Sequence, residues 1–109
     1  MFGRLEVIAF IGFMGLAQAA KSEEHVIIIM SDAFFPSVTY VETGDSVRFV
    51  NASNAAKMVV SSGTGWTIGP LTTGEEAVLP VKADTALEFA TDAEPIMAGI
   101  LSFEATPMK

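Results

Sequence analysis

The chain has 109 residues, 50% of them hydrophobic and 17% charged, which suits one small core and is too apolar for a disordered tail. With no cysteine and one histidine, it excludes disulfides, thiolate metal sites, cysteine nucleophiles and metal centres built from several of its own imidazoles. Six basic against 13 acidic residues leave a net charge of −7, which repels phosphate backbones and anionic membranes, so no nucleic-acid partner is expected.

Arg4 precedes an apolar run from Val7 to Leu16, and Ala17-Gln18-Ala19 follows with the small-x-small spacing that signal peptidases accept. Residues 1–19 therefore read as a secretory signal peptide, although Glu6 is atypical of such a segment. The run is far shorter than the roughly 20 residues needed to cross a bilayer, so no membrane span is expected after cleavage. An uncleaved N-terminal anchor is the alternative. The expected location is periplasmic or secreted, with a domain over residues 20–109 that must hold together by burial alone, since it has no disulfide.

From His25 onward, β-branched and aromatic residues cluster in short runs punctuated by Gly, Pro, Asp and Asn, the pattern of strands. Residues 25–30 (HVIIIM) predict a buried strand. Residues 37–42 and 46–51 alternate on either side of Thr43-Gly44-Asp45 and predict a hairpin. A strand is expected at 57–62, after a polar link. The stretch Gly63 to Gly74 holds four glycines and Pro70 and reads as a turn-rich connection. Strands at 75–81, 85–91 and 97–104 complete the set. Pro80 cannot donate to a ladder, which puts its strand at an edge or a bulge. The whole predicts an all-β, Greek-key antiparallel β-sandwich.

Three segments stand in order along the chain: Phe35-Pro36 with residues 38–51 (VTYVETGDSVRFVN), residues 68–81 (IGPLTTGEEAVLPV) and residues 85–104 (TALEFATDAEPIMAGILSFE). Together they resemble the cupredoxins of the plastocyanin, amicyanin and pseudoazurin kind. The resemblance implies a cupredoxin sandwich and, for members with copper, two imidazoles, a thiolate and a weak axial thioether around the metal. In this chain the corresponding positions hold Lys57, Thr91, Glu94 and Met97, so only the axial residue matches. A type I centre is excluded because there is no cysteine to supply the thiolate.

No cofactor is therefore expected. The alternative is copper at an atypical or shared site, for which Met97 and His25 are the weak candidates. Met30, Met58, Met97 and Met108 are a scattered thioether set better explained by packing. Lys57 and Glu94 are expected either to face each other as an ion pair worth about 0 to 1 kcal/mol, or to remain solvated loop charges. Met58, Pro95, Ile96 and Met97 form a candidate partner surface unless they turn inward to close the sandwich, and Trp66 is either a flap over the core or a recognition anchor.

Enzyme chemistry finds little support. Ser61 and Ser62 have no histidine nearby in sequence, Glu75-Glu76 falls on a turn, and GTGWTIG (63–69) lacks a basic residue and precedes no helix. The expectation is a non-catalytic binding or protein-interaction module whose partner is another envelope protein. A copper-binding or electron-transfer protein is the alternative.

Overall fold

The computed structural model describes residues 22–103. The expected signal peptide 1–19, Met108 and the end of the last expected strand at Glu104 lie outside the described residues.

Nine strands follow one another along the described chain: β1 (Glu24–Ile29), β2 (Phe34–Phe35), β3 (Val38–Tyr40), β4 (Ser46–Asn51), β5 (Lys57–Ser61), β6 (Thr67–Leu71), β7 (Glu76–Pro80), β8 (Glu88–Thr91) and β9 (Ala98–Ser102). The only helical element among them is a single 3-10 turn at Ser62–Thr64. Four strands in the order β2-β1-β4-β7 make one sheet, and five in the order β3-β9-β8-β5-β6 make the other. Alternation along each strand sends every second side chain inward, so Ile27, Ile29, Val47 and Phe49 of the first sheet meet Val59, Phe89 and Leu101 of the second. Burying each such side chain contributes about 1.5 to 3 kcal/mol, which is how a chain without disulfides holds its core.

An aromatic cluster fills the middle of this core. Phe89 lies 4.9 Å from Phe34 and 5.5 Å from Phe49 by ring centroid, edge to face in both pairs. Trp66 leans on Phe49 and Phe89 at 5.9 and 5.8 Å, and its indole N–H donates to the Ala86 carbonyl at 2.9 Å. Gly99 makes room for the cluster, because a Cβ there would sit 2.4 Å from the Phe89 ring.

The sandwich expected from the sequence is present, and Pro80 lies on β7, an outermost strand, as its missing donor requires. The topology departs from the expectation in four places. β3 and β4 do not form a hairpin: β3 runs parallel to β9 in one sheet, while β4 pairs with β1 and β7 in the other. The Thr43–Asp45 turn is thus a crossover between sheets, tied to β7's end by the Gly44 N–H to the Val81 carbonyl at 2.9 Å. Two strand pairs are parallel, so each sheet is mixed and not purely antiparallel. The short β2 has no forerunner in the sequence reading. Finally, the Gly63 to Gly74 stretch contains β6, whose glycine and proline act as a bulge instead of a break. Gly69 adopts φ 101°, and a Cβ on it would lie 2.8 Å from the Lys57 carbonyl oxygen, so the register shifts between Lys57 and Val59.

Candidate functional site

β1, β4 and β8 finish at one end of the sandwich, where β5 and β9 begin. The loops there enclose an open cleft of about 230 Å³, bordered by Ser31, by residues 54–58 and by residues 91–95. The opposite end carries the 43–45 turn and the start of β1.

Asn51, the last residue of β4, organises the first of these loops. It is fully buried, and its amide donates to the carbonyls of Leu71 at 2.7 Å and Ala55 at 2.9 Å. Its Oδ1 accepts the Ser53 N–H at 2.9 Å and the Ser53 hydroxyl at 2.6 Å. The loop is thereby held against β6 and delivers Lys57 to the cleft. Sequence reading passed over this role; its signal is an Asn at a strand end followed two residues later by Ser, the pattern of a side chain closing a turn on its own backbone.

Thr91 organises the second loop. Its buried hydroxyl accepts the Met97 N–H at 2.9 Å and donates to the Pro95 carbonyl at 3.2 Å, while its own N–H donates to the Met97 carbonyl at 2.9 Å. The Asp92 N–H reaches the Met58 carbonyl at 3.2 Å and ties the loop to β5. Residues 92–96 are thus stapled at both ends by one threonine.

Lys57, Thr91 and Glu94 border the same cleft, as the resemblance implies for positions that meet at one point. The expected ion pair is not formed: no contact within 4.0 Å joins the Lys57 ammonium to the Glu94 carboxylate, and Glu94 stays in solvent. The reason is energetic, since an exposed pair gains at most about 1 kcal/mol and must order two long side chains to do so.

Of the candidate partner surface, Pro95 and Ile96 are exposed, Ile96 to 55%, and Met58 is half-buried. Met97 belongs to the core instead, only 4% exposed, because the residue entering β9 points inward. Trp66 sits at the far end among the core aromatics with its N–H satisfied, which makes it a flap over the core and not a recognition anchor of this site.

His25 also lies at the far end. Its Nε2 is 2.9 Å from Asp45 Oδ2, and the buried Asp45 carboxylate further accepts the N–H groups of Glu23 at 3.0 Å and Glu42 at 2.9 Å. The His25 hydrogen bond, assisted by the two backbone donors, holds the Asp45 carboxyl below its ordinary value of 3.8 against the opposing effect of burial. His25 and Met97 occupy opposite ends and cannot ligate one ion. Among the described residues, no three His, Asp or Glu side chains are grouped as a metal site.

No family model and no curated protein matches the chain. Among solved structures, a Cu-containing nitrite reductase from Thermus scotoductus SA-01 is similar over 83% of this chain, with 21% identity and a TM-score of 0.61. The chain covers 24% of that enzyme's length, so the likeness concerns one part of a much longer protein. It establishes a cupredoxin-like fold for the nine-stranded sandwich.

Proposed function

We propose that the chain is an exported cupredoxin-fold domain without a blue-copper centre, acting as a non-catalytic binding module that meets another envelope protein through its loop end. The observation that carries this reading is Thr91. At the position the resemblance assigns to a thiolate, its hydroxyl is engaged on both sides by its own loop. That loop is held by hydrogen bonds within the chain.

The donor set does not suit copper. A lysine ammonium has no lone pair, and a carboxylate is a hard oxygen ligand where two imidazoles and a thiolate are required. No redox step is derived for this site.

What the loop end offers is contact: exposed Pro95 and Ile96 beside a cleft whose border carries Asp92 and Glu94 against Lys57, with Asp32 exposed on the neighbouring β1–β2 turn. Acidic charge around an apolar spot steers and orients a partner with a basic face. A non-catalytic role is further supported at the other end, where the Ser61 hydroxyl accepts the Trp66 backbone N–H at 2.8 Å and donates to the Ser62 carbonyl. Export rests on the sequence of residues 1–19.

The test is a titration of the purified chain with Cu(II) and with Cu(I), followed by visible absorption, EPR and metal retained after desalting. Weak, non-stoichiometric uptake with an unchanged melting temperature is expected. Retention of one copper per chain overturns the reading and leaves the copper-handling alternative.

A further inference from the structure

Trp66 also forms one wall of a separate cleft, of about 380 Å³, at the end opposite the loop end. The facing wall is the close of β7, Leu79 and Pro80, with the turn that follows it, residues 82–85. Both walls are fixed by hydrogen bonds. The Trp66 backbone N–H donates to the Ser61 hydroxyl, its carbonyl accepts the Ser61 N–H at 3.0 Å, and the indole N–H is held by the Ala86 carbonyl. The turn is closed twice, by the Lys82 N–H to the Thr85 hydroxyl at 2.7 Å and by the Thr85 N–H to the Lys82 carbonyl at 3.1 Å. The half-buried Trp66 therefore borders a preformed hollow. Small-molecule sites are hollows of this kind, of about 300 to 1,000 Å³, and a place near the low end of that range suits a single small ring.

We infer that this cleft binds a sugar, through one pyranose ring. Lys82 and Asp84, both exposed, border it, and among the described residues neither makes an ion pair. An anionic ligand meets Asp84 and a cationic one meets Lys82, so a neutral molecule is favoured. An ammonium only donates hydrogen bonds and a carboxylate only accepts them, so the ligand must do both, which is what hydroxyl groups do. The Thr85 hydroxyl, already accepting from Lys82, keeps its proton for a further such bond. A zwitterion also matches the two charges, but both of its own charges must then shed water, at a greater cost than hydroxyls incur. Trp66, Leu79 and Pro80 make the remainder of the cleft apolar, since the indole N–H is already engaged. The C–H face of a sugar ring is the part of a hydroxyl-rich molecule that can lie against them. This site shares no residue with the loop end, so the two readings stand or fall separately.

Trp66 is the only tryptophan in the chain, so its emission reports directly on the cleft. The test is a titration of the full chain with glucose, galactose, mannose and N-acetylglucosamine, each to about 100 mM, which brackets the millimolar affinity that few contacts in an open cleft allow. A saturable change in emission is expected with at least one of them, and saturation-transfer NMR should show the ring protons of that sugar against the protein. Lys82→Met and Asp84→Ala should each weaken binding about tenfold. Val26→Thr, at an exposed position on β1, should leave it unchanged. Melting temperature checks the fold of each, with Lys82→Gln and Asp84→Asn as substitutes should either variant misfold. Absence of saturation by every sugar in both measurements overturns the inference. So does a response that glycerol reproduces, one that a folded Lys82 or Asp84 variant leaves unaltered, or saturation by phenylalanine and by no sugar.

Discussion

The Thr91 hydroxyl accepts the Met97 N–H at 2.9 Å across a loop whose two ends are one residue beyond β8 and one residue before β9. It satisfies a buried donor that nothing else in the loop reaches, and its second bond, to the Pro95 carbonyl, fixes the path between. The conformation of the loop end therefore depends on a side chain of three heavy atoms.

Thr91→Val keeps the shape and removes the hydroxyl, leaving the Met97 N–H buried without a partner. The expected loss is about 1 to 3 kcal/mol of stability, read from the urea midpoint at constant slope. Thr91→Ser should recover most of it. Equal stability of all three proteins would show that water replaces the bond.

Asp45 makes stability fall on the acid side. Its carboxyl lies below the ordinary value of 3.8 in the folded chain, chiefly through the His25 hydrogen bond. Its contribution is therefore fully present above that ordinary value, and it is lost as pH falls through the still lower folded value. Urea unfolding between about pH 6 and about pH 2 should show a decline that flattens in Asp45→Asn. An unchanged decline in that variant would assign the acid sensitivity to other carboxylates.

The Thr39 hydroxyl is buried without a hydrogen-bond partner. Thr39→Val replaces it with a methyl of nearly the same shape, and the melting temperature should rise, by the equivalent of about 1 kcal/mol. A fall instead would reveal a bound water that the hydroxyl serves.

Gly99 and Phe89 share one space. In Gly99→Ala the new methyl would meet the Phe89 ring at 2.4 Å, forcing the ring against Phe34, Phe49 and Trp66. Overpacking of this kind costs about 1 to 3 kcal/mol. The Trp66 fluorescence should shift along with the melting temperature, and Phe89→Leu in the same chain should return part of the loss, an interaction energy measurable by a double-mutant cycle.

Much of the architecture was legible in the sequence because it follows from local rules. A period of two marks a half-buried strand wherever it occurs, a proline marks a strand that lacks one donor, and composition decides which ligands exist at all. Thus the strands around Ile27, Val47, Phe49 and Phe89, the restriction of Pro80 to an edge or a bulge and the absence of a thiolate are readable from the residues alone. The Gly63 to Gly74 stretch, whose glycines and Pro70 predict a turn-rich connection, instead holds β6, because a bulge at Gly69 lets the strand continue.

Tertiary structure alone decided who pairs with whom. The alternation of residues 37–42 and 46–51 is the same whether the strands form a hairpin or, as here, cross from one sheet to the other, because burial is non-directional and each strand needs only some apolar face to meet. The same holds for the site. Whether Met97 turned inward, whether Lys57 met Glu94 and which carboxylate His25 found were set by contacts 20 or more residues apart in the chain. Such contacts depend on how the sheets pack, and no local pattern of residue types encodes that.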